Sequence, residues 1–386
     1  MKYKNIVLPD YEHCILNTIT SILKYYNVET KYKSLETLDK ILQTKKYKNI
    51  VFCILDGLGN SLLNDVSKKG YFNQNKIDIV TSVYPSTTTA ALTTYYSGMP
   101  PYETGWIAWS QYFKEYGRAI DMFSHKESYL GELLKNPNKD VFKTDMNYKT
   151  VYTKIEERNP NIKAFGIEPK YSERRAKRAV VADNIDELIS SIQDICEISG
   201  EKFILAYCDN PDGILHKYGT DSEEAKNYVL DAQIKFKKLK EDLGEDTLII
   251  ISADHGHKNI DKAYTLLDYP EILECLIMPP TLESRVLTFW VKEDMRKTFE
   301  ERFNKQFKEE FWLMNKEEFL NKYKFLGTGN KHHKIDDFIG NYVALSVKGS
   351  MIRLETFLAE GKPIKKSTHC GLTIEEMKVP VIVLEK

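Results

Sequence analysis

The sequence predicts an α/β protein: a doubly wound, mostly parallel sheet flanked by helices, with a small α+β insertion. Three observations predict it. Short runs that are apolar at every position recur along the chain, as strands covered on both faces require. Amphipathic helical patterns lie between them, and strand–helix alternation is the mark of a doubly wound sheet. Acidic and histidine residues stand just beyond several of these runs, where open α/β sheets bind their ligands.

The elements follow in chain order. Residues 11–26 carry Ile15, Leu16, Ile19, Ile22, Leu23 and Tyr26 at helical spacing, which predicts an opening helix. Ile50, Val51, Phe52, Cys53, Ile54 and Leu55 make the first continuous apolar run, and it stops at Asp56-Gly57. A second strand is expected over 77–84, halted by Pro85, and a helix over 89–96, ending near Gly98. Further strands are expected at 162–167, 203–208, 248–251 and 379–384, with helices at 185–198 and 222–243.

The segment 263–347 reads differently. A strand-like stretch at 285–291 is followed by a charged, aromatic helical pattern at 294–308 and then by 311–325. The expectation is one domain over 1–386 with 263–347 inserted as a small α+β subdomain at the rim of the ligand crevice.

Composition narrows the class of function. The chain has 386 residues, 42% hydrophobic and 29% charged, enough for a substantial core. Lys and Arg number 55 against 56 Asp and Glu, so bulk charge gives no support to a nucleic-acid polymer or a membrane surface as partner. No stretch approaches the roughly eighteen consecutive apolar residues of a spanning helix, and residues 1–12 hold no apolar signal core. The six cysteines form no CxxC pair. A cytoplasmic, reduced protein is the expectation.

The candidate chemistry rests on seven residues. Asp212 and His216 stand four apart, on one face of a helical turn, where a carboxylate and an imidazole can share a zinc or manganese ion. The plain alternative is a surface Asp and an unrelated helix His. Asp254 and His255 follow a buried run directly, and Gly256 permits a tight turn after them. His257 either lines the same site or has no part in it. Asp56 ends the first apolar run, where a carboxylate serves as readily as a helix cap. His369, alone in a polar loop, reads by itself as a solvated histidine. Thr87, Thr88 and Thr89 precede a helix. A hydroxyl there can act on phosphorus beside an anion-binding helix N-terminus, and spacing does not choose among the three.

The set resembles the alkaline phosphatase superfamily, and within it the type I phosphodiesterase/nucleotide pyrophosphatase branch. The matching pieces are Asp56-Gly57, Tyr84-Pro85-Ser86-Thr87-Thr88 with Ser97-Gly98, Asn210-Pro211-Asp212 through His216-Lys217-Tyr218-Gly219, Asp254-His255-Gly256, and Thr368-His369-Cys370-Gly371-Leu372. They fall in the family's order and span the chain from about residue 50 onward. The resemblance implies two divalent metal ions, zinc first and manganese as the alternative. Asp212, His216 and His369 would hold one, and Asp56, Asp254 and His255 the other. Thr88 would be the nucleophile at the second ion, forming a phosphoryl-threonine. It implies a small phosphate-ester substrate such as a nucleotide, and leaves the oligomeric state open.

The resemblance also carries a departure. An Asn three residues beyond the nucleophile is expected to donate to a phosphoryl oxygen, and here Ala91 stands in its place. Asn60, Asn210 and Lys217 are the substitutes considered. Tyr102, Trp106, Trp109 and Tyr112 either stack on a substrate or pack the interior, and His332-His333 is set aside as a metal pair. Two alternatives are compatible with the same residues: a phosphomonoesterase or other phosphoryl-transfer enzyme of the superfamily, and a non-enzymatic, metal-stabilised binding module.

Overall fold

A seven-stranded sheet forms the centre of the computed structural model, which describes residues 3, 5–129, 131, 141–172, 175–353 and 364–385. Its strands are β1 (Asn49–Leu55), β2 (Lys76–Thr81), β3 (Lys163–Glu168), β4 (Arg178–Val181), β5 (Lys202–Cys208), β6 (Thr247–Ser252) and β7 (Lys378–Leu384). Their order across the sheet is β2-β7-β6-β1-β5-β3-β4. Only β7 runs against its neighbours, and the remaining strands share one direction.

Every residue of β1, β5 and β6 is buried, which is why these segments read as unbroken apolar runs. Strand β2 ends at Thr81 rather than at residue 84, because its pairing with β7 stops at Thr81↔Lys378.

The flanking helices lie where periodicity put them, with ends set by local caps. Helix α1 (Ile15–Tyr25) begins four residues later than residue 11. The reason is local: the Asn17 side chain accepts from Cys14 N at 2.6 Å, which fixes Cys14 as the cap. Helix α2 (Thr88–Ser97) ends at Gly98, whose φ of 65° is left-handed. Helices α3 (Ile185–Glu197), α4 (Asp212–Tyr218) and α5 (Glu223–Asp242) follow. The Asn184 and Ser222 side chains accept from the first turns of α3 and α5. One core holds Ile19 and Ile22 of α1, Ile192 of α3 and Phe236 of α5 against the sheet.

A second, six-stranded sheet lies beside the first. Its order is Phe311–Asn315, Tyr342–Ser346, Val286–Phe289, Thr281–Glu283, Ser110–Phe113 and Arg118–Asp121, paired antiparallel throughout. It therefore draws two strands from 110–121, far from the other four in sequence. Helix α6 (Arg296–Phe307) packs on it through Phe299, Phe303 and Phe307, spaced four apart on one helical face. Among the described residues no helix is long and apolar enough to cross a membrane. All six cysteines are free and buried.

Candidate active site

The central strands β6, β1 and β5 are neighbours, so the chain leaving their carboxyl ends arrives in one place. Asp56 follows β1, Asp212 opens α4 four residues after β5, and Asp254-His255 comes two residues after β6. Gly57 (φ +78) makes the close approach possible, because a Cβ there would lie 3.1 Å from both Asp212 Cα and the His257 ring. Thr88 is the first residue of α2, and His369 sits between the short strand Ser367–Thr368 and β7.

The six candidate ligands form two clusters. In one, Asp212 Oδ1 lies 3.3 Å from His216 Nε2 and 3.8 Å from His369 Nε2. In the other, His255 Nε2 lies 3.2 Å from Asp254 Oδ2 and 3.5 Å from Asp56 Oδ1. The clusters touch: the His255 and His369 rings stack with centroids 3.9 Å apart. Among the described residues these, with His257 joining the Asp212 cluster, are the groups of His, Cys, Asp and Glu that could hold a metal ion.

Hydrogen bonds decide which nitrogen of each ring is available. His216 Nδ1 faces Ser367 O at 2.8 Å, His255 Nδ1 faces Gly256 O at 3.2 Å, and His369 Nδ1 faces Ser86 O at 3.2 Å. A carbonyl only accepts, so each Nδ1 carries the proton and each Nε2 turns a lone pair into the cluster. Burial also pushes the His216 and His369 pKa values down, keeping those rings neutral.

The carboxylates complete the argument. Asp254 Oδ1 accepts from Gly57 N and His255 N, whereas Asp254 Oδ2 and Asp56 Oδ1 are buried with no hydrogen-bond partner. Converging lone pairs and orphaned carboxylate oxygens are the donor set a divalent cation satisfies, so the residues fit the two ions.

The structure adds His257 to this set. Its Nε2 lies 2.7 Å from Asp212 Oδ1, and its Nδ1 lies 3.0 Å from Ser367 Oγ. The Ser367 hydroxyl donates to Leu215 O, so the proton of this neutral ring sits on Nδ1 and donates to Ser367 Oγ. His257 Nε2 therefore turns its lone pair toward Asp212, as a further candidate ligand of that cluster. Its place two residues past His255 was the only signal in the sequence.

Of the three threonines, Thr88 alone meets the clusters, with Oγ1 3.3 Å from His255 Nε2 and 3.4 Å from Asp56 Oδ2. Thr87 Oγ1 donates to Glu283 at 3.0 Å, and Thr89 is fully buried. A cleft of about 390 Å³ opens in front of Thr88, Asp56 and Asp212, walled by Leu92, Trp109, Phe123, Tyr171, Arg175 and Tyr207.

Several expectations change here. Ala91 is fully buried within the main core, and Leu92, one residue on, lines the cleft. Position 91 belongs to the core and not to the cleft lining, so its lack of a donor carries no argument about substrate preference. Asn60, Asn210 and Lys217 do not line the cleft either. Asn60 accepts from Lys76, Asn210 donates to Asp209, and the Lys217 ammonium lies over the Tyr218 ring.

Of the four aromatic candidates, Trp109 reaches the cleft, 42% exposed. Trp106 is buried in the second core and donates to Met146 O, and Tyr112 packs on Trp290. Tyr102 packs against the same second core. Phe123, Tyr171 and Arg175 were not singled out in the sequence, where nothing marks them as cleft residues. His332 and His333 face Asp145, outside both clusters. The Cys370 thiol is pushed well up by burial and by Glu283, which keeps it protonated.

Comparison with known proteins places this geometry. The family model for type I phosphodiesterase / nucleotide pyrophosphatase matches residues 54–343. No curated protein sequence matches the chain. Among solved structures, human ectonucleotide pyrophosphatase / phosphodiesterase 5 superposes with a TM-score of 0.63 at 14% identity, over 86% of this chain and 87% of that one. An inactive form of the murine protein in complex with AMP gives 0.62 at 14% identity, over 87% of each chain. Phosphonoacetate hydrolase from Sinorhizobium meliloti 1021, in complex with phosphonoformate, gives 0.59 at 16% identity, over 86% of this chain and 89% of that one.

Proposed function

Because the chain belongs to the type I phosphodiesterase/nucleotide pyrophosphatase family of the alkaline phosphatase superfamily, we propose that it cleaves a phosphodiester or pyrophosphate bond through a phosphoryl-threonine at Thr88. A phosphoryl hydrolase is what membership of the family makes it. The observation that carries the finer reading is Thr88 Oγ1, turned between His255 Nε2 and Asp56 Oδ2 at the mouth of a cleft.

Asp212, His216 and His369 would hold one divalent cation, and Asp56, Asp254 and His255 the other. When bound, such a pair neutralises charge on the attacking and leaving oxygens and lowers the pKa of a hydroxyl or water beside it. Neutral imidazoles with carboxylates favour zinc, and the carboxylate-richer second set leaves manganese as the alternative.

The chain's own residues do the rest. The Thr88 hydroxyl proton faces Asp56 Oδ2 at 3.4 Å. As its proton is released, Thr88 Oγ1 forms a bond to phosphorus while the bond from phosphorus to the leaving-group oxygen breaks, and that oxygen departs with its own substituent and takes up a proton from water. Backbone N–H groups at the start of α2 stabilise the phosphoryl oxygens. Water then cleaves the threonine ester and restores the hydroxyl. Trp109, Phe123 and Tyr171 shape a cleft sized for a small phosphate ester. The AMP and phosphonoformate held by the two similar proteins support that substrate class.

The test is metal-reconstituted hydrolysis of bis-p-nitrophenyl phosphate beside p-nitrophenyl phosphate. Faster diester cleavage, abolished by Thr88→Ala, is the expected result. Faster monoester cleavage would move the reading to a phosphatase, and cleavage untouched by Thr88→Ala would remove the nucleophile.

A further inference from the structure

Arg285 and Glu376 are both fully buried and belong to neither cluster. Their side chains meet as a bidentate pair, Nε to Oε1 and Nη2 to Oε2, each at 2.7 Å. The rest of the guanidinium is also used: Nη1 donates to Ser350 O and Nη2 to Lys348 O, both at 2.7 Å. A buried ion pair contributes little net stability, and neutral replacements of similar volume often fold as well. Stability alone is therefore a weak account of this one.

What the pair touches gives a stronger account. Glu376 Oε1 accepts from Gly371 N at 2.7 Å, and Oε2 accepts from Thr373 Oγ1 at 2.7 Å. Gly371 is two residues from His369, and Cys370 between them has a φ of 84°, a region that strains any residue with a Cβ. A Cβ on Gly371 would lie 2.5 Å from Arg285 Nη2. The loop is drawn tight onto the pair. The backbone oxygen of the same Glu376 accepts from Gly256 N at 2.8 Å, in the turn between His255 and His257.

We propose that Arg285 and Glu376 are a positioning pair for the metal centre, fixing the loop that presents His369 to the Asp212–His216 cluster. The proposal rests on reading the clusters as metal sites and deepens it. Arg285 immediately precedes the strand Val286–Phe289 of the second sheet. The pair therefore sets His369 against that sheet, while Asp56, Asp212, Asp254 and His255 follow strands of the main one.

The test is the double variant Arg285→Met/Glu376→Gln, which removes the ion pair without stranding a buried charge and keeps an oxygen for Gly371 N. Metal-free melting, chelator competition for each ion and the Co²⁺ absorption spectrum are compared with wild type. The expected protein melts within a few degrees of wild type and holds the Asp56–Asp254–His255 ion unchanged. Its Asp212–His216–His369 ion binds about 10–100-fold more weakly, the usual effect of losing an outer-shell support. Unchanged affinity at both clusters overturns the proposal, and so does an equal loss at both. Should the double variant fail to fold, Gly371→Ala decides, because it pushes the loop off an intact pair and must give the same selective loss. A wild-type protein that binds no ion would instead remove the metal reading itself.

Discussion

The Tyr207 hydroxyl donates to Asp56 Oδ2 at 2.5 Å, reaching from β5 to the end of the adjacent β1. That bond occupies one carboxylate oxygen and leaves Oδ1 buried and without a partner. Burial, with the Asp254 and Asp212 carboxylates close by, pushes the Asp56 pKa well above the usual carboxylate range. In the metal-free protein, Asp56 therefore keeps a proton where an ordinary aspartate has lost it.

Metal binding must expel that proton. Titrating zinc into metal-free protein at about pH 5, where an ordinary aspartate is already ionised, in buffers of differing ionisation enthalpy, should show proton release that Asp56→Asn removes. Heats independent of the buffer would show Asp56 already ionised.

Thr88→Ala should lower diesterase turnover by at least about 10³-fold while both ions stay bound, because only the nucleophile is removed. Activity and metal content are measured on the same preparation. Loss of metal along with activity would mean that Thr88 acts through the site's assembly.

Ala91→Asn separates the core from the cleft. Position 91 is fully buried, so an amide there finds no substrate and lacks partners. The variant should lose roughly 1–3 kcal/mol of stability in urea unfolding without gaining diesterase activity. A rise in turnover at unchanged stability would show that position 91 does reach the phosphoryl group.

The buried histidines set an acid limit. Burial pushes His257 down to about 3 and lowers His216 and His369 as well. The unfolded chain binds these protons near pH 6.5 and the folded one does not. Metal-free stability present above pH 6.5 is thus lost as pH falls toward 3, by roughly 4 kcal/mol from His257 alone. Asp56 runs the other way, since its raised pKa favours the folded state as pH falls, so the decline should steepen in Asp56→Asn. Thermal melts at pH 7.5, 6 and 5 (chosen to span about the first half of the window) follow it. A melting temperature flat across that range in Asp56→Asn would show that the histidines are not held neutral by burial.

The sequence by itself determined where the central strands lie and which carboxylates and histidines leave their ends. Strands buried on both faces must be apolar throughout, so β1, β5 and β6 announce themselves, and Asp56, Asp212, Asp254 and His255 are fixed by chain continuity. Motif order supplied Thr88 and His369, which no local pattern distinguished from an ordinary cap and a solvated loop histidine.

Tertiary structure decided the rest, because each remaining question concerned direction or distance. An apolar run does not state its orientation, so the reversal of β7 was invisible. Three consecutive threonines share one composition, and only the rotation of α2 turns Thr88 to the cleft and Ala91 to the core. The second sheet takes strands from 110–121 through pairing that sequence separation conceals. His257 meets Asp212, Arg175 lies over the Tyr96 and Phe123 rings, and Arg285 meets Glu376, partners far away in sequence, and only the folded chain brings those side chains together.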